Sequence, residues 1–184
     1  MTLALLTFLP FAGALLVLVV PARWLAVQRA VALGATLATA VLGLRVYQAF
    51  DGSSADVQMA MAEPWFVLPG GTQVWFRMGL DGLSVLMVGL TCVLMPIVIL
   101  STWSSVEHRL KQFLIWMLVM ETGMLGVFLS LDVVLFYFFW EVSLIPLYFL
   151  VGIWGGERRL YATIKFFLFT VVGSLARALG ERGR

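Results

Sequence analysis

Six apolar runs, each near the ~20 residues a helix needs to cross the hydrocarbon core of a bilayer, take up most of this chain. They are Leu3–Val20, Leu25–Val46, Gly82–Trp103, Phe113–Ser130, Val133–Trp154 and Tyr161–Leu179. Of the 184 residues, 62% are hydrophobic and 12% charged, and a soluble domain of this length has too little interior for so much apolar surface. In lipid the backbone of an isolated span must satisfy its own hydrogen bonds, so each run is expected to be a helix. The expected fold is all-α: a polytopic integral membrane protein with about six transmembrane helices. The first run starts at Thr2 with no basic segment ahead of it, and its flanking charges, Arg23 and Arg29, follow it. It reads as a retained span, not a cleaved leader.

The remaining composition excludes several functions. A formal charge of +2, scattered along the chain, gives no footprint for nucleic acid. The single cysteine, Cys92, lies in an apolar run and reads as a packing residue. The single histidine, His108, sits in a charged loop and reads as solvated. No Cys or His pair has metal-ligand spacing and no Gly-rich phosphate loop is present, so catalysis of the soluble type is not expected.

Charge sorts the connections. The first, third and fifth loops carry Arg23 and Arg29, Arg109 and Lys111, and Arg158 and Arg159. The second, about Gln48 to Asp81, sets Arg45 and Arg77 against Asp51, Asp56, Glu63 and Asp81, and the fourth is a tight turn at Asp132. By the positive-inside rule the basic side is cytoplasmic, which puts the N-terminus and the second connection outside. The stretch "EPWFVLPGGTQVWFRMGLDG" mixes turn residues with aromatics and is expected to pack as an extended hairpin or a short interfacial helix, with Trp65 and Trp75 at the interface. The last run breaks the pattern, because "ARALGERGR" places Arg177, Arg182 and Arg184 on the side that should be external.

Three ionisable residues lie inside the runs: Glu121, Glu141 and Lys165. A charge at the bilayer centre costs about 2.5–3.5 kcal/mol on insertion scales, so such residues face the protein interior and mark ion or proton paths. Reflection through the turn at Leu131–Asp132 puts Glu121 and Glu141 each ten residues away, about 15 Å, at matched depth near the midplane. Reflection through Gly156–Glu157 puts Lys165 opposite Tyr148, about 10 Å nearer the basic side than Glu141. Burial and a nearby opposite charge push proton affinity in opposite directions, so a Glu–Lys pair bridged by water is a switchable proton site. Pro146 frees the carbonyl of Val142, next to Glu141, and Pro96 frees that of Cys92. Such breaks are tolerated in membranes where water or another group fills in.

Plainer readings stand beside these. Lys165 can snorkel to the interface. Glu121 and Glu141 can each serve a structural hydrogen bond to a neighbouring helix. Met117, Met120 and Met124 read as packing, as do the aromatics around Glu141.

"GLDGLSVLMVGLT" (Gly79 to Thr91) and "FYFFWEVSLIPLYFLVGIWGG" (Phe136 to Gly156) resemble hallmark segments of the subunit M family of bacterial proton-pumping NADH:quinone oxidoreductases, respiratory complex I. The mitochondrial counterpart is NADH dehydrogenase subunit 4. "MLVMETGMLGVFLSLD" and "YATIKFFLFTVVGSL" resemble the same family, and the likeness runs to about Leu175. It implies an antiporter-like membrane-arm subunit, in the bacterial cytoplasmic membrane, that moves protons while electrons pass from NADH to quinone elsewhere. NADH, flavin, iron–sulfur clusters and quinone would then be bound by other subunits, with no cofactor in this chain, and the partners would be the other membrane-arm subunits and the bilayer. The family's essential membrane glutamate maps onto Glu141, a second onto Glu121, and the lysine of its sixth-helix region onto Lys165. Its principal paired lysine lies in the next helix, which this chain lacks. Residues 1–175 thus read as the N-terminal part of an antiporter-like transmembrane domain with a loop at about 48–81. Residues 176–184 read as a charged tail from a truncation, a frameshift or an incomplete assembly, and the chain is not expected to pump alone. The competing readings are a D-type component of a multi-subunit cation/proton antiporter, or a non-functional fragment.

Overall fold

In a computed structural model the apolar runs become helices α1 (Thr2–Val19), α2 (Leu25–Ala49), α3 (Gly82–Ser101), α4 (Leu110–Leu129) and α5 (Val133–Trp154). The structure describes residues 1–54, 56–67, 71, 73–106, 108–156, 159, 161, 163–166, 168–170 and 173. All five helices are long and apolar enough to cross a membrane. The sixth expected run, Tyr161–Leu179, lies partly outside the described residues, and those described within it are helical. The tail at 176–184 lies wholly outside them.

Between α2 and α3 the chain forms a two-stranded antiparallel hairpin, β1 (Gln58–Val67) and β2 (Gln73–Leu80). Of the two forms expected for this connection, the hairpin is the one adopted. It is stitched to the α4–α5 turn: Leu131 N donates to Arg77 O at 3.0 Å, and Met78 bridges to Ser130. Its aromatics reach down to the helices, with Phe76 stacked on Phe8 of α1 at 6.4 Å and Trp65 edge-on to Phe138 of α5 at 5.4 Å.

Two acids start helices at this hairpin end. Asp81 accepts from Leu83 N at 3.0 Å and Ser84 N at 2.7 Å, and Asp132 accepts from Val134 N at 2.9 Å and Leu135 N at 3.4 Å. Each satisfies N–H groups that a helix start leaves open and lays negative charge on the positive end of the dipole. The Ser84 backbone N–H, then its hydroxyl, holds the Asp81 carboxyl below its ordinary value. A carboxyl whose folded pKa is depressed stabilises the fold above its unfolded pKa, and that contribution fades as pH falls through the folded value. Asp81→Ala should therefore cost about 1 kcal/mol at neutral pH, and the gap to wild type should close below the folded pKa. Thermal unfolding of both chains at pH 7 and in acid checks this, and an equal gap at both would reject it.

The opposite end is basic, and its cations are used. Lys111 Nζ donates to Val20 O, the carbonyl just past α1, at 2.9 Å. Arg29 donates to Val106 O at 3.3 Å and lies 5.8 Å from the Trp103 ring centroid. Trp154 Nε1 donates to His108 O at 2.9 Å, which ties α5 to the α3–α4 loop. Cations at helix C-termini suit the dipole.

α4 packs against each of the other four helices and is the centre of the bundle. Two apolar clusters fill the interior. One, towards the hairpin, includes Leu3, Leu6, Val88, Cys92, Leu125, Leu129 and Phe139. The other, towards the basic end, includes Ala14, Val17, Ala32, Met95, Leu114, Leu118 and Leu150.

Candidate functional site: a polar band at mid-depth

Between the two clusters the side chains change character on four of the five helices. α1 places Thr7 and Pro10 there, α2 Thr36 and Thr39, α4 Glu121 and Thr122, and α5 Glu141 and Pro146. The four threonines and Glu121 are buried, with Glu121, Thr7, Thr36 and Thr39 fully excluded from solvent. Each threonine hydroxyl donates within its own helix: Thr7 to Leu3 O at 2.9 Å, Thr36 to Leu33 O at 3.0 Å, Thr39 to Ala35 O at 2.9 Å and Thr122 to Leu118 O at 3.1 Å. Their oxygens keep acceptor capacity. Neither carboxylate oxygen of Glu121 has a hydrogen-bond partner among the described residues.

An unpaired ion in an apolar interior costs several kcal/mol even after relaxation. The proton occupancy of such a carboxyl is therefore sensitive to any charge or dipole brought near it.

Proline frees backbone acceptors in the band and in the hairpin-side cluster next to it. Pro10, Pro96 and Pro146 all lie inside helices and are all buried. Each lacks the N–H that would engage the carbonyl four residues earlier, so Leu6, Cys92 and Val142 lose that bond. Each freed carbonyl is next in sequence to a polar residue: Thr7, Thr91 and Glu141. The carbonyl at Leu6 and the threonines were not anticipated from the sequence. Their signal was a hydroxyl recurring inside otherwise apolar runs.

The α4–α5 contact fixes where the two glutamates stand. Phe113 meets Trp154 with ring centroids 5.3 Å apart, and Trp116 stacks on Phe149 at 4.6 Å. Farther along, Gly123 abuts Ser143 and Gly126 abuts the Phe139 ring. This register sets Glu121 level with Ile145 and Glu141 level with Leu125. The carboxylates are thus offset by four residues, about 6 Å along the contact, with Glu141 nearer the hairpin. The matched depth expected from counting through the turn is corrected: α5 slides one helical turn along α4, so its first turn projects beyond the end of α4. Glu141 is half-buried.

Lys165 is exposed, with its ammonium 5.7 Å from the Tyr161 ring centroid. A Cβ on Gly152 would lie 3.7 Å from Thr163 Cγ2, so Lys165 stands level with Leu150, nine residues or about 14 Å from Glu141. That exceeds the expected 10 Å, and the structure does not bring the two side chains together. Among the described residues no three His, Cys, Asp or Glu side chains are grouped to hold a metal.

Residues 130–180 match the family model described as NADH:quinone oxidoreductase/Mrp antiporter, TM. NADH-quinone oxidoreductase subunit M of Rhodobacter capsulatus is 40% identical over 183 residues, covering 94% of this chain and 33% of that protein. NADH-ubiquinone oxidoreductase chain 4 of Prototheca wickerhamii is 36% identical over 187 residues, covering 93% and 35%. Among solved structures, a chain of respiratory complex I from Thermus thermophilus with bound NADH superposes with a TM-score of 0.77 at 34% identity, covering 95% of this chain and 34% of that one. The chain spans about a third of the length of these relatives. Over most of its own length this chain is therefore similar to about a third of the length of the membrane subunits M and chain 4 of NADH:quinone oxidoreductases, and the structure's described helices superpose on a chain of one such complex.

Proposed function

We propose that this chain forms part of a membrane-arm subunit of a proton-translocating NADH:quinone oxidoreductase, with Glu121 and Glu141 taking up and passing protons and Lys165 a cationic station towards the basic end. The observation that carries the reading is Glu121: a fully buried carboxylate on the central helix, without a hydrogen-bond partner among the described residues, inside a band of threonine oxygens. A group so placed exchanges a proton when neighbouring charge changes, and that is the property a coupled proton carrier needs. Glu141 lies one turn away along the α4–α5 contact, beside a freed backbone carbonyl, which supports a hydrated step between them.

The redox chemistry belongs to other subunits in this reading, which bind NADH, flavin, iron–sulfur clusters and quinone. The partners are the neighbouring membrane-arm subunits. The site is the bacterial cytoplasmic membrane, and the basic end, with Arg23, Arg29, Arg109 and Lys111, faces the cytoplasm, so the N-terminus faces out.

The family description also names antiporters, and one experiment separates the two. Inverted vesicles holding the full-length subunit in its complex should take up protons on addition of NADH without sodium, and disrupting the gene should remove that uptake. Proton movement that follows a sodium gradient and ignores NADH would replace the redox reading with the antiporter one.

A further inference from the structure

The basic end holds a groove that proton transfer does not use. Between α4 and α5 a cavity of about 340 Å³ is lined by Arg109, Gln112, Ile115, Trp116, Phe149 and Ile153. Its polarity is graded by depth. Arg109 and Gln112 stand at the start of α4, at the rim, and Ile115 and Trp116 follow one turn deeper. The Trp116–Phe149 stack, with its rings 11° from parallel, forms the apolar floor. A second cation approaches the rim from the other wall, where Arg159 Nη1 donates to Ile153 O at 3.0 Å. Among the described residues, this end carries Arg23, Arg29, Arg109, Lys111 and Arg159 and no carboxylate.

A guanidinium and an amide donor at interfacial depth suit phosphate oxygens, and the aromatic and aliphatic walls beneath suit an acyl chain. The geometry points to an anionic phospholipid held in this groove, its phosphate on Arg109 and Gln112 and one acyl chain against Trp116 and Phe149. Charge complementarity selects the occupant: a neutral helix would leave the rim cations unmatched, and a zwitterionic lipid would bring its own ammonium against them. This inference rests on the helices lying in a membrane and is independent of proton translocation.

The full chain, purified in detergent and equilibrated with equal phosphatidylglycerol and phosphatidylcholine of matched chains, is read by native mass spectrometry. Phosphatidylglycerol should be retained about fivefold over phosphatidylcholine, the factor expected for one arginine near the surface. Arg109→Asn removes the charge while supplying a residue at ease with the left-handed backbone there, φ 52°, and should abolish the preference. Arg23→Gln, at the same end but outside the groove, should keep it. Phosphatidylglycerol brominated on its acyl chains should quench tryptophan fluorescence in the wild type, and Trp116→Phe should remove that quenched component. Equal retention of the two lipids, an equal loss in Arg23→Gln, or quenching unchanged in Trp116→Phe would each overturn the proposal.

Discussion

Glu141→Gln in the full-length subunit is expected to remove most NADH-driven proton uptake into inverted vesicles, by about tenfold or more, while the complex still assembles. The substitution keeps the shape of the side chain and a capacity to hydrogen-bond, and it removes the ionisable proton together with the negative charge. Because Glu141 is half-buried, the amide brings no new burial cost large enough to unfold α5. A positioned acid–base group contributes typically about 10²–10⁴-fold to a proton-transfer step, so its loss should dominate the rate. Glu141→Asp retains the carboxyl but withdraws it by one methylene, and should fall between wild type and Gln. The same series at Glu121 tests the band from its other side. If both groups carry protons in sequence, Glu121→Gln with Glu141→Gln should be scarcely worse than either alone, because one broken link already stops the chain. Uptake at the wild-type rate in an assembled Glu141→Gln complex would remove Glu141 from the path. Losses that multiply would mean that the two carboxyls contribute independently and are not successive links of one chain.

Much of the fold was readable because lipid leaves so few choices. Five of the six apolar runs became helices α1 to α5, with every end of those five within three residues of expectation. The largest shifts are at Ala49, where α2 runs on past Arg45, and at Leu110, where α4 starts directly after left-handed Arg109. Turn residues and aromatics pointed to two forms for the connection before α3, and only the pairing of Gln58–Val67 with Gln73–Leu80 decided between them.

The site was less legible. Glu121 and Glu141 stand out in any sequence reading, since charge in an apolar run is costly. Their spacing did not follow from residue counts, because a count through the turn assumes that both helices start at one level. The register is set by side-chain size along the interface, chiefly Gly123 and Gly126 meeting Ser143 and Phe139. The threonine band was invisible for a different reason. A threonine in an apolar helix can bond its own backbone and face anywhere. Only the packing of α1, α2 and α4 shows that Thr7, Thr36, Thr39 and Thr122 occupy the stretch between the two apolar clusters.

Gly126→Ala is expected to destabilise the α4–α5 pair on the order of 3 kcal/mol, the upper range for an overpacked core. A methyl at Gly126 would fall on the ring carbons of Phe139. That ring has no room to retreat: Phe139 is 1% exposed, with the Phe8 ring at 6.0 Å and the Phe138 ring at 5.4 Å. The helices must therefore part, and parting them moves Glu141 relative to Glu121. Heat-induced unfolding of the full-length subunit in detergent should show the loss, and Phe139→Leu should recover part of it by vacating the ring. Gly89→Ala is the control, since a methyl there meets nothing within 4 Å, and it should leave stability unchanged or slightly raised. If the two changes at 126 and 139 simply add, the contact is not what holds the register. If Gly126→Ala unfolds like wild type, α5 has another way to sit on α4. Partial rescue, together with proton uptake that recovers in step with it, would tie the spacing of the two carboxylates to one glycine.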